Sequence, residues 1–132
     1  MKRLTALMLC LLLLTGCGGN IRHVMPVIGP SDLFTDAEIE DAMDIVLDYF
    51  KKEFEGCTLT RLEYEEAAVR DEMVSWAIQY GENQAIVLLS DFEVAPYGAS
   101  PSLNPGDTYR NWKWILTRSG GEGWVLRTWG YG

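Results

Sequence analysis

The chain has 132 residues, 48% of them hydrophobic and 11% aromatic, which suits one packed domain and no more. Its 11 basic and 19 acidic residues give a net charge of −8. That balance disfavours nucleic acid as a partner, because a polyanion is recognised through basic patches.

The first residues are set apart from the rest. Lys2 and Arg3 make a short positive region, Leu4 to Leu14 is almost wholly apolar, and Thr15 and Gly16 are small. This order is that of a secretory signal, and the apolar stretch is too short for a stable transmembrane helix. Leu14-Thr15-Gly16-Cys17 resembles the lipobox of bacterial lipoproteins. The resemblance implies a signal peptide over 1–16, cleavage before Cys17, and diacylglycerol on the Cys17 thiol. It places the chain on the extracytoplasmic face of a cell membrane, with the membrane as partner through that lipid. Two acyl chains anchor stably where one does not.

Cleavage alters two counts. Without Lys2 and Arg3 the mature chain carries 9 basic and 19 acidic residues, a net −10. Cys10 leaves and Cys17 is occupied, so Cys57 is the one remaining thiol and no internal disulfide forms. A buried, inert thiol opening a strand is the expectation for it.

Residues 17–30, with two adjacent glycines and two prolines, read as a lipidated N-terminus and tether spanning about 20 Å as a flexible coil. The alternative is that Val24 to Ile28 docks on the domain as an extended segment. A single domain follows over 31–132. Thr35 and Glu38 have capping-box spacing, Phe34 before them is placed to staple onto Ile39, and Ile39, Ala42, Met43, Val46, Phe50 and Phe54 recur at helical spacing. Gly56 stops that helix. Cys57 to Tyr64 is rich in β-branched and aromatic residues and reads as a strand. From Glu65 to about Tyr80 a second helix presents Val69, Met73, Trp76, Ala77 and Tyr80 on one side and closes at Gly81.

Ala85 to Val94 is the next strand. Ala95 to Thr108 is a long loop in which Asn104-Pro105-Gly106-Asp107 fits a type II turn. A hairpin closes the chain: Tyr109 to Arg118 and Trp124 to Tyr131 flank Ser119-Gly120-Gly121-Glu122-Gly123. Strict alternation puts Trp112, Trp114 and Leu116 on one side of its first arm, and Trp124 and Leu126 on one side of the second, with Trp129 and Tyr131 opposite.

The expected fold is α+β, one layer of amphipathic helices packed on a curved antiparallel sheet of about four strands. This order resembles the cystatin-like and nuclear-transport-factor-2-like folds. The stretches Phe54 to Thr60 and Ser102 to Trp114 resemble small lipoproteins of gut Firmicutes, a resemblance that implies a Gram-positive cytoplasmic membrane and no particular activity.

Chemistry-bearing patterns are few. The one histidine, His23, falls in the expected tether, which excludes histidine-based triads, Cys-His pairs and His-ligated zinc from the domain. No phosphate-binding glycine loop or EF-hand pattern is present, so no cofactor or metal is expected. Asp91 and Glu93 share one side of a strand and are the one candidate pair of catalytic carboxylates, as a glycan hydrolase would need. A cystatin-type inhibitor would need a Gln-x-Val-x-Gly hairpin, and Gln84-Ala85-Ile86-Val87-Leu88 lacks both its Val and its Gly. The aromatic last third offers the remaining signal. Trp112, Trp114 and Trp124 are expected in the core, while Tyr97, Tyr109, Trp129 and Tyr131 are candidates to line a ligand groove, with Arg110, Arg118 and Arg127 as polar contacts. The expected function is a non-catalytic binding module of the cell envelope.

Overall fold

The structure, a computed structural model, describes residues 18–131. The segment 1–16, expected to be a signal peptide, and Cys17 lie outside the described residues. Seven elements follow in order: β1 (Val27–Ile28), α1 (Asp36–Glu53), β2 (Cys57–Tyr64), α2 (Glu66–Tyr80), β3 (Gln84–Val94), β4 (Thr108–Arg118) and β5 (Val125–Gly130). The strands form one sheet in sequence order, β1 parallel to β2 and every other pair antiparallel. The class is α+β, as the sequence indicates.

The fifth strand comes from the segment expected to be a tether. Val27 and Ile28 pair with Glu63 and Tyr64. Further upstream, the Asn20 amide donates to the Cys57 carbonyl at 2.9 Å and the Leu59 amide to the Asn20 carbonyl at 2.9 Å. Gly19 donates to the Lys51 carbonyl at 2.9 Å, which satisfies one of the free carbonyls in the last turn of α1. The two glycines serve close approach, not flexibility. A Cβ on Gly18 would strike the Lys51 carbonyl, and one on Gly19 the Phe50 carbonyl and ring. The strap is thus docked from Gly18 onward, and the docked alternative replaces the flexible coil.

Helix α1 begins as its sequence dictates. The Thr35 hydroxyl accepts from the Glu38 amide at 3.2 Å and the Glu38 carboxylate accepts from the Thr35 amide at 2.9 Å. Its buried stripe of Ile39, Ala42, Met43, Val46 and Phe50 lies on the sheet, with Phe50 against Phe92 and Trp114 at centroid distances of 5.8 and 6.4 Å. At the start of the helix, Trp124 Nε1 donates to the Glu38 carbonyl at 3.0 Å. Arg118 stacks over the Trp124 ring and pairs with the Glu38 carboxylate, holding that carboxyl below its ordinary range.

The second helix corrects the single-layer expectation. Lys113 sits between Trp112 and Trp114, whose rings meet Phe54 of the α1 side, so Lys113 points to the other face. There it binds Glu72 of α2 at 2.9 Å. Helix α2 therefore covers the face opposite α1. This explains the run Ile86-Val87-Leu88-Leu89, buried at every position because successive side chains meet different helices. Gly81 ends α2 in the left-handed conformation, φ 65°, as its position after the last apolar residue indicates.

Three breaks in register shape the sheet, at Thr60 in β2, at Arg110–Asn111 in β4 and at Arg127 in β5. Each inserts residues without a partner, reversing the side to which the following side chains point. In β5 the insertion of Arg127 leaves Leu126 paired with Leu116 but Trp129 with Trp114. Trp129 and Tyr131 consequently lie on the α1 face, not opposite Trp124 and Leu126 as strict alternation indicates. Asn111 takes φ 56°, a conformation that asparagine tolerates better than most residues.

Candidate functional site

The pole of the domain where α1 ends, β2 begins and the β3–β4 loop emerges holds a groove of about 710 Å³. Tyr49 supplies it from the last turns of α1 and Phe54 from the cap that follows, Trp112 and Trp129 from β4 and β5, and the loop contributes Tyr97, Gly98, Ala99, Ser100, Ser102 and Leu103. The loop is fixed by its turns. Ala95 donates to the Gly56 carbonyl at 2.8 Å, and the Gly98 and Gly106 amides return to the Ala95 carbonyl at 2.9 and 3.1 Å. Gly56, at φ 81°, also permits the loop's approach, because a Cβ there would meet the Gly98 carbonyl at 2.8 Å. The Asn104–Asp107 segment closes as the sequence indicates, with Gly106 at φ 76° and Asp107 N donating to Asn104 O at 3.2 Å.

The rings are close enough to act together. Tyr49 and Trp129 lie 4.7 Å apart between centroids, and Trp129 lies 6.0 Å from Trp114, which is fully buried beneath. Tyr131 packs edge-on to Trp112 at 5.4 Å and stacks on Tyr109 at 6.0 Å. Burial pushes the Tyr49 hydroxyl pKa up, with the negative charge of Glu53 adding to it. Glu53 and Glu55 bring carboxylates to the groove. Trp112 Nε1 is buried and has no hydrogen-bond acceptor among the described residues.

The four candidate residues are distributed as follows. Tyr97, 85% exposed, and Trp129, 38% exposed, line the groove. Tyr131, 63% exposed, stands beside Trp112 at its edge. Tyr109 is stacked on Phe92 at 5.1 Å, and its hydroxyl accepts from the Asn104 amide at 2.9 Å, so it supports the loop from behind. Trp112, expected in the core, is instead half-buried groove wall. Tyr49 was not a sequence candidate, since its helical position names no partner. The three arginines do not converge on the groove. Arg118 is held by Glu38 and Gln84 at the other end of α1, Arg127 by Thr117 and Glu82 on the α2 face, and Arg110 is exposed at the start of β4.

Of the two candidate carboxylates, Asp91 is engaged in an ion pair. Arg61 grips Asp91 through Nε and Nη2, both at 3.0 Å, and the Asn111 amide donates to the same carboxylate at 2.9 Å. The Arg61 hydrogen bonds, with those of Asn111, hold the Asp91 carboxyl below its ordinary range despite partial burial. A proton donor at neutral pH needs the opposite shift. Asp91 instead joins the bulges of β2 and β4, and Glu93 is exposed. Asp91→Asn is expected to lower stability by about 1–2 kcal/mol through loss of one arm of the Arg61 fork, seen as a lower midpoint in urea.

Burial pushes the Cys57 thiol up to about 11, consistent with an inert position. Among the described residues no group of three or more His, Cys, Asp or Glu is placed to hold a metal ion, and no helix is long and apolar enough to cross a membrane. No protein-family model, curated protein or solved structure matches the chain.

Proposed function

We propose that the protein is a lipid-anchored, extracytoplasmic binding module of the cell envelope, and that its groove holds a ligand between aromatic rings. The lipobox resemblance at Cys17 supports the anchor. The observation that carries the binding site is the convergence of Tyr49, Tyr97, Trp112 and Trp129 on one groove. A concave site lined by aromatic side chains with a few polar groups is where small ligands bind. The ligand is therefore one with a flat or apolar face to stack on Tyr49, Trp129 and Tyr97.

The test is a thermal-shift screen of residues 18–132 against peptidoglycan fragments, oligosaccharides, short peptides and amphiphiles. The strap must be kept, because Gly18 and Gly19 pack on α1. A ligand at a hundred times its dissociation constant stabilises the fold by about 2.7 kcal/mol, a shift of several degrees. Tyr97→Ala is expected to weaken that ligand about tenfold, the loss of one ring contact, while leaving stability within about 0.5 kcal/mol because the side chain is so exposed. Unchanged affinity in Tyr97→Ala and in Trp129→Ala would remove the groove as the binding site.

A further inference from the structure

The docked strap fixes which way the domain faces. Gly18 and Tyr97 line one concavity of about 580 Å³ that adjoins the aromatic groove across Glu55 and Gly56. Cys17 is the residue that directly precedes Gly18 in the sequence. With Gly18 packed on Lys51 and Gly19 bonded to it, little slack separates the anchor from this pole. We infer that the pole carrying Tyr97, Trp129 and Tyr131 is seated on the lipid surface to which the chain is tethered, with these rings at headgroup depth.

Two further observations fit a bilayer as the occupant. Tyrosine and tryptophan are the side chains that favour the membrane–water boundary, and here Tyr97 and Trp129 are exposed on the groove that adjoins the Gly18 concavity, with Tyr131 beside Trp112 at its edge. Charge is also graded along the molecule. Helix α1 spans about 27 Å, and from Asp36 to Asp48 it carries six acids and no base. The pole itself bears Lys51, Lys52 and Arg110 against Glu53, Glu55, Glu93 and Asp107. Asp48 is paired with Lys52, and the other five acids, Asp36 to Asp44, are turned away, about 13 Å or more along the helix from its last residue. That is beyond the screening length of about 8 Å at physiological salt, so anionic headgroups do not repel it strongly. On this inference the groove opens on the headgroup layer, and its ligand comes from the membrane surface.

The inference rests on the reading of Cys17 as the lipid anchor, and one experiment separates the two. The full-length chain is processed in cells, purified with its lipid and reconstituted in phosphatidylcholine–phosphatidylglycerol vesicles. Tyr97→Cys carries a polarity-sensitive dye, and Ile78→Cys on the outer side of α2 carries the same dye as the reference. Native Cys57 is buried and does not compete for label. The expected result is co-flotation of both proteins, with a blue shift and quenching by brominated lipid at position 97 and neither at 78. Flotation with position 97 left in water would overturn the docking alone and leave the anchor standing. Equal responses at the two positions would also overturn it, and failure to float would overturn both.

Discussion

Replacing Trp114 with alanine is expected to cost about 3–5 kcal/mol, the range for truncating a buried aromatic. Heat should show this as a fall in midpoint on the order of 10 °C for a domain of this size. Trp114 is fully buried and meets Phe54 at 5.3 Å, Trp129 at 6.0 Å, Tyr49 at 6.3 Å and Phe50 at 6.4 Å. Alanine would leave a void between α1 and the sheet that this ring cluster cannot fill without leaving its rotamers. A polar loss adds to the void. Trp114 Nε1 donates to Ser90 Oγ at 2.8 Å, and that hydroxyl donates to the Trp112 carbonyl at 2.9 Å. Trp114→Phe keeps most of the volume and loses only the indole bond, so about 1–2 kcal/mol is expected. Trp114 also lies beneath Tyr49 and Trp129. The alanine variant should therefore lose groove affinity even at temperatures where it remains folded, while the phenylalanine variant retains it. Equal stability of the two variants would show that the cluster repacks around the void.

The contrast between Trp114 and Trp129 shows how far the sequence could be read. Four of the five strands and both helices are visible in local pattern, because capping residues, apolar periodicity and terminal glycines act over a few residues. The Thr35 and Glu38 cap and the turn at Pro105-Gly106 form as their residue types demand. Facing is another matter. The single bulged residue Arg127 reverses the side of Trp129 and Tyr131, and a bulge leaves little mark in an isolated strand. The strap escaped for a related reason. Adjacent glycines suit a flexible linker and a tight approach to a helix end equally well, and only the position of Lys51 and Phe50 distinguishes them. The site was half legible. Tyr97 and Trp129 stood out as aromatics in a loop and a terminal strand. Tyr49 and Glu53 belong to a helix whose other residues explain it fully, and they become groove residues only when the loop folds over the helix end.

Glu66 is the clearest residue that sequence alone conceals, since it follows Glu65 in an acidic run, yet it is buried. Its carboxylate accepts from the Ser31 hydroxyl at 2.6 Å, the Asp32 amide at 2.9 Å and the Tyr64 hydroxyl at 2.8 Å. Ser31 in turn accepts from the Phe34 amide at 2.9 Å, and the Phe34 ring lies between Tyr64 and Trp124 at 6.1 and 5.4 Å. One carboxylate at the start of α2 thus fixes the segment that delivers the chain into α1. Burial opposes its ionisation, but the Ser31, Asp32 and Tyr64 hydrogen bonds outweigh that cost and hold it at about 2. In the unfolded chain a glutamate titrates near 4.3. The folded value is the lower, so the stabilisation is fully present above the unfolded value and disappears as pH falls from about 4.5 towards 2. Glu66→Gln should cost about 2 kcal/mol at pH 7, where the charged acceptor is lost. Its stability should fall less steeply than wild type between pH 4.5 and 2, so the two curves converge in acid. Urea titrations across that range give the comparison directly. Parallel curves would mean that Glu66 is not ionised in the fold and that Ser31 and Asp32 are held by something else. Combining Glu66→Gln with Ser31→Ala should cost clearly less than the sum of the two, because both remove the same bond.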